Sequence, residues 1–249
     1  MAVKLENLSA GYDRRPAVHH VGGVFADASM TAVVGPNGGG KSTLLKAVAG
    51  FVPLMTGHID FGGLRRDDIA YLPQQFEIDR TFPLSVMDVV LLGHWPKRGA
   101  LGRVRQSDRE AALQALAAVD MRDFAERPVA SLSTGQWQRV LFARLSLQKA
   151  KLILLDEPFA AIDGRTTHDL LHVLEGWRKT GAIVVCVMHD FQSVRDHFPQ
   201  ALVLARELIA WGPTSEAMRD ENLAKASALA GRWDDEAAPC PVDEHGVAA

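Results

Sequence analysis

Only two cysteines occur in the 249 residues, Cys186 inside an apolar run and Cys240 near the C-terminus. That count excludes a disulfide framework and fits a reducing compartment. No apolar run is long enough to cross a bilayer. The first residues lack the charged-then-apolar order of a secretory signal. The expectation is a chain in the cytosol whose membrane association comes through a partner. Nor does one charge dominate: 27 Lys and Arg stand against 30 Asp and Glu, a net charge of −3. Such a balance speaks against a nucleic-acid binder and against an acidic disordered protein. No internal repeat is present, and no low-complexity tract apart from the last residues.

What is there is enough apolar material, 47% of the chain, for a sizeable core. Residues 234–249 carry Asp234, Asp235, Glu236, Asp243 and Glu244 and no Lys or Arg; without those five acids the net charge of −3 becomes +2. This stretch reads as a disordered acidic tail, and Cys240 with His245 makes a poor metal site in it. Residues 1–233 read as one domain.

The most informative stretch is Gly35-Pro36-Asn37-Gly38-Gly39-Gly40-Lys41-Ser42-Thr43. It fits the phosphate-binding loop pattern, with an apolar strand before it (Met30 to Val34) and a helix after it (Leu44 to Ala49). Glycines let consecutive N–H groups turn inward toward phosphate oxygens, and the helix start adds positive partial charge. Lys41 has the reach for the β- and γ-phosphates, and the Ser42 hydroxyl suits Mg²⁺.

Around that loop the pattern is α/β. Val3 to Ser9 and Val18 to Phe25 read as strands, with Gly11-Tyr12-Asp13 as a turn. Gly57 to Phe61 and Ile69 to Leu72 read as short strands. From about residue 82 to 150 the apolar spacing becomes helical, which predicts a helical subdomain inserted in the α/β frame. Leu152 to Leu155 and Ile183 to Met188 read as buried strands, Leu202 to Leu204 as a short one, and Thr166 to Thr180 as a helix. His168 and His172 share one face of that helix; with no third ligand evident nearby they read as a surface pair. The basic stretch Lys97, Arg98, Arg103, Arg105 and Arg109 reads as a solvated face before it reads as a lipid or acidic-partner contact.

Leu152-Ile153-Leu154-Leu155 ends in two carboxylates. Asp156 is suited to hold Mg²⁺, directly or through water, and Glu157 to polarise an attacking water. Between the loop and this strand lies Leu132-Ser133-Thr134-Gly135-Gln136. The segment resembles the signature motif of ATP-binding cassette (ABC) proteins, with Thr134 in place of the usual glycine. The likeness continues through Gln138-Arg139-Val140 and Ala143-Arg144 and covers roughly residues 1–215.

The resemblance implies a RecA-like phosphate-loop ATPase core with an antiparallel β subdomain and an inserted α-helical signature subdomain. It implies ATP and Mg²⁺ as ligands and a homodimer in which Ser133, Gly135, Gln136 and Asp163 act in trans on the partner's nucleotide. Tyr12 matches the aromatic that stacks on adenine. Gln74 matches the glutamine that senses Mg²⁺ and γ-phosphate, and His189 the switch histidine that contacts γ-phosphate.

The segment Asp79 to Gly93 resembles the stretch after the glutamine in ATPase subunits of zinc and manganese importers. This likeness implies polytopic permease subunits as partners, an extracytoplasmic metal-binding protein indirectly, and no nucleic acid. It implies a place on the cytoplasmic face of the inner membrane, with zinc as the first cargo and manganese the next. An iron-chelate or haem importer is the alternative of the same kind. A soluble ABC ATPase outside transport is the alternative of another kind, but such proteins usually carry two cassettes or a long coiled coil. A non-hydrolysing regulator would lack Glu157 or His189, and both are present.

Overall fold

The computed structural model describes residues 1–13, 15–74, 82–99 and 103–230. In chain order the strands are β1 (Val3–Tyr12), β2 (Arg15–Phe25), β3 (Met30–Val34), β4 (Leu54–Asp60), β5 (Ile69–Leu72), β6 (Leu152–Asp156), β7 (Ile183–Val187), β8 (Gln200–Ala205) and β9 (Glu207–Pro213). The helices are α1 (Lys41–Val48), α2 (Val86–Leu91), α3 (Trp95–Arg98), α4 (Gln106–Ala117), α5 (Thr134–Gln148), α6 (Gly164–Lys179), α7 (Phe191–His197), α8 (Thr214–Ala217) and α9 (Asp220–Ala230). They divide into two compact units.

The first unit comprises Met1–Ala26, Thr31–Gly63 and the chain from His189 onward. Its strands lie in the order β4-β1-β2-β9-β8-β3. β1 pairs antiparallel with β2 and β4, while β3 runs parallel to β8 in the register Thr31↔Gln200 to Val34↔Val203. β3 is buried at every residue and β8 at all but its first. That explains their mostly apolar sequences, broken only by Thr31 and Gln200, since a parallel strand covered on both faces has no polar side to present.

The second unit comprises Asp27–Met30 and Leu64–Met188. β5, β6 and β7 form a parallel sheet in which Leu72 pairs with Leu155 and Leu155 with Cys186. The helices α2 to α5 occupy the chain between β5 and β6. Their starts are chemically marked: Ser85 and Asp88 cap α2 reciprocally, as Ser133 and Gln136 cap α5. Trp177 of α6 stacks on Phe142 of α5 at 5.4 Å between centroids and donates its indole N–H to the Ser146 hydroxyl at 3.1 Å. Parallel and antiparallel strands with a helical stretch between β5 and β6 bear out the expected α/β architecture.

Some elements differ from the sequence reading. β1 runs on through Gly11 and Tyr12, which pair with Pro16 and Arg15, so the turn begins two residues later, at Asp13. Asp13 takes the left-handed backbone, φ 49°, that the turn needs. β9 and the helices α7 to α9 were not anticipated. Leu208 to Gly212 are all half-buried, so β9 shows no two-residue alternation to read.

Candidate functional site

In the first unit the stretch from Gly35 to Thr43 joins β3 to α1, as the pattern predicts. Gly40 sits at the helix start with φ 84°, and a Cβ there would lie 2.4 Å from the Ala17 carbonyl oxygen. At Gly35 a Cβ would fall 1.9 Å from the Leu204 carbonyl oxygen. The loop is thus wedged between β2 and the end of β8, and only backbone fits there. Its seat is reinforced by the Arg206 N–H, which donates to the Gly39 carbonyl at 2.9 Å. Lys41 is almost fully buried; its ammonium donates to the Gly35 and Pro36 carbonyls at 3.0 and 2.9 Å. Asn37 and Gly38 are exposed, Pro36 and Ser42 half-buried, and Thr43 buried.

Tyr12, at the end of β1, is 52% exposed. It belongs to the hairpin whose return strand carries Ala17, the residue touching Gly40. His189 is exposed and directly precedes Asp190, whose carboxylate caps α7 by accepting from the Gln192 N–H at 3.0 Å.

In the second unit the parallel register places three predicted residues at one sheet edge. Leu72 is level with Leu155, so Gln74 and Glu157 each lie two residues beyond a matched pair. Asp156, the last residue of β6, is fully buried and accepts a hydrogen bond from the Tyr71 hydroxyl at 3.3 Å. Gln74 and Glu157 are half-buried. Glu157 adopts φ 51°. That conformation costs a β-carbon residue on the order of 1–2 kcal/mol. The carboxyl edge of parallel strands is where α/β sheets bind ligands. Beneath it, burial pushes the Cys186 thiol well up, and the Asp156 carboxylate adds to the shift.

Also in this unit, the starts of α5 and α6 lie side by side. Ser133 accepts from the Gln136 N–H at 3.2 Å, and its own N–H donates to the Gln136 side chain at 3.0 Å. Asp163 caps α6, accepting from the Thr166 N–H at 2.9 Å and from its hydroxyl at 2.8 Å. These two bonds hold the Asp163 carboxyl below its usual range. A Cβ on Gly135 would lie 3.7 Å from both Asp163 Oδ2 and Thr166 Oγ1. Sequence reasoning named Ser133, Gly135, Gln136 and Asp163, but gave Thr166 only as a helix start and missed Arg139 as their neighbour. Its guanidinium reaches Asp169 at 2.7 Å across 30 residues of chain, and no local pattern announces such a pair.

A groove of about 290 Å³ opens among the helices of this unit, lined by Leu84, Leu91, Trp95 and Val104 with Asp88 and Arg103. Trp95 and Val104 are 54% and 53% exposed. The segment Asp79 to Gly93 lies partly outside the described residues, as do Cys240, His245 and the acidic tail. The rings of His168 and His172 meet edge-on at 4.5 Å. Among the described residues no group of three or more His, Cys, Asp or Glu is arranged to hold a metal ion. No helix of the described residues is long and apolar enough to cross a membrane.

Residues 18–160 match the family described as ABC transporter. The chain is 38% identical to the manganese transport system ATP-binding protein MntB of Bacillus subtilis over 90% of this chain and 91% of that one. It is 35% identical to the zinc transport system ATP-binding protein TroB of Treponema pallidum over 90% and 86%. A metal-chelate type ABC transporter solved in an inward-facing conformation superposes with a TM-score of 0.81 at 29% identity, over 91% of this chain and 89% of that chain. An ATP-binding cassette in its ADP conformation superposes at 0.78 with 20% identity, over 92% and 99%, a likeness of fold. The match over residues 18–160 and the 38% identity over nine-tenths of the chain to an ATP-binding subunit show that the chain belongs to the ABC transporter family as one of its ATP-binding ATPase subunits.

Proposed function

We propose that this ATPase energises import of a divalent transition metal, zinc or manganese, through a separate membrane permease. The observation that carries the cargo class is the 35–38% identity, over nine-tenths of the chain, to the ATP-binding proteins of manganese and zinc transport systems. In this reading residues 1–233 work as one cassette, which pairs with a second copy around two ATP molecules at the cytoplasmic face of the membrane. An extracytoplasmic binding protein delivers the metal to the permease, and the helical groove beside Trp95 receives a cytoplasmic segment of that permease.

The loop from Gly35 to Thr43 cradles the phosphates, Lys41 neutralises the β- and γ-oxygens, and Tyr12 stacks on the adenine. Ser42, Gln74 and Asp156 would each offer a hard oxygen ligand to Mg²⁺, which would supply charge neutralisation at the phosphates. Glu157 orients the attacking water and accepts its proton, while His189 stabilises the γ-phosphate. Ser133, Gly135, Gln136 and Asp163 serve the nucleotide of the partner copy. ATP favours the closed pair over the open one, and this difference in affinity moves the permease.

The test is cellular zinc and manganese content in metal-poor medium, with and without the protein. A deficit of one metal, restored by the wild type and not by Glu157→Gln, is the expected result. Unchanged zinc and manganese would overturn the cargo assignment.

A further inference from the structure

Helices α5 and α6 pack side by side and run in the same direction. Gly135 faces Asp163 and Thr166 at their starts, Arg139 faces Asp169 one turn on, and Phe142 and Ser146 meet Trp177 farther along. The middle of this seam is polar and continuous. Arg139 Nη2 donates to Asp169 Oδ2 at 2.7 Å and to Thr166 Oγ1 at 3.4 Å. Thr166 Oγ1 donates in turn to Asp163 Oδ2 at 2.8 Å. The other arm of the guanidinium, Nη1, donates to the Val119 carbonyl at 3.2 Å, just beyond the end of α4. Thr166 is 7% exposed and the Arg139 side chain 15%, while the carboxylate ends of the seam face solvent, Asp169 at 44% and Asp163 exposed.

We propose that Arg139 and Thr166 are positioning residues that hold the Asp163 turn in register with the Ser133–Gly135 helix start. The proposal rests on the reading above, in which those two segments act together on a nucleotide. A planar guanidinium fixes three elements at once because its two arms diverge at a set angle, which an ammonium cannot reproduce. The Thr166 hydroxyl is the relay, accepting from Arg139 and donating its single proton to Asp163. Its Oγ1 is the one atom of the seam that touches both the arginine and the carboxylate that caps α6. Misplacing Asp163 against the signature start disturbs the geometry of the reaction and leaves the phosphate loop intact.

The experiment compares Thr166→Val, Thr166→Ser and Arg139→Lys with the wild type in the full-length chain. It reads kcat, the KM for Mg-ATP, the affinity for a fluorescent ATP analogue, and Tm. Thr166→Val keeps the side chain's shape and removes the relay. The expected result is a kcat lowered at least about tenfold in Thr166→Val and Arg139→Lys, with KM and affinity within about twofold of the wild type. Thr166→Ser, which keeps the hydroxyl, restores kcat. Wild-type kcat in a folded Thr166→Val overturns the proposal, as does a loss of kcat that Thr166→Ser shares in full. Should Arg139→Lys fail to fold, the Thr166 pair decides alone. A wild-type chain that neither binds nor hydrolyses ATP overturns the cassette reading itself, a result distinct from an active wild type with active variants.

Discussion

The Lys41 ammonium lies 2.9 Å from the Pro36 carbonyl oxygen, folded back onto the loop that its own helix follows. It also donates to Gly35. These carbonyls hold the charge in place at the loop; in the proposed function phosphate oxygens would replace them. Lys41→Ala is expected to weaken ATP binding by roughly 10- to 100-fold, since a hydrogen bond to a charged group is worth about 1.5–3 kcal/mol. Isothermal titration with Mg-ATP checks this, and unchanged affinity removes Lys41 from the site.

Glu157→Gln is expected to abolish hydrolysis while leaving ATP bound. Its product on adding Mg-ATP is a stable dimer, seen as a doubling of mass by light scattering. The amide keeps the size of the side chain and its left-handed backbone, φ 51°, but cannot take a proton from water. A variant that stays monomeric with ATP argues against the two-copy scheme.

Acid is expected to destabilise the protein in two stages. Burial lowers the His19 imidazole below its usual 6.5, outweighing Glu207, which raises it; His20 and Arg206 lower it further. The neutral ring is therefore the folded form, so its stability contribution is complete above pH 6.5 and is lost as pH falls from there toward the folded value. Asp163 and Asp169 are depressed carboxylates, held down by bonds from Thr166 and Arg139 respectively, so their contribution is lost only as pH falls below their usual 3.8. Tm measured against pH is expected to show a shallow decline below 6.5 and a steep one in the carboxylate range. His19→Gln should flatten the first and spare the second. A first stage that survives in His19→Gln assigns it to another group.

Trp95 stands 54% exposed at the mouth of the helical groove. Replacing it with Glu puts a charge where an apolar partner surface would sit. Loss of co-isolation with the permease from detergent extracts is the expected outcome, and full recovery of the complex places the docking surface elsewhere.

The phosphate loop was legible because its chemistry is local: glycines, one lysine and one hydroxyl in nine residues, flanked by apolar runs of the right period. Asp156 and Glu157 were legible for the same reason. The left-handed backbone of Glu157 was not, since such a conformation is read from Gly or Asn and nothing else marks it. The strand that carries Tyr12 was cut short in the sequence reading because Gly11 and Asp13 are both turn formers and only Asp13 turns. The bridge from Arg139 to Thr166 spans 27 residues. Its existence depends on two helices packing in the same direction, a tertiary fact that neither helix carries in its own pattern.

Gly35 and Gly40 admit no side chain: a Cβ would sit 1.9 Å from one carbonyl oxygen and 2.4 Å from another. Every single-base change in the first two positions of a glycine codon introduces a β-carbon or a stop. At these two positions the gene therefore has no tolerated neighbour in sequence space other than synonymous ones. A saturation library selected for growth on scarce metal should show two blank columns there, beside a permissive one at Gly176 of α6, where a Cβ meets nothing within 4 Å.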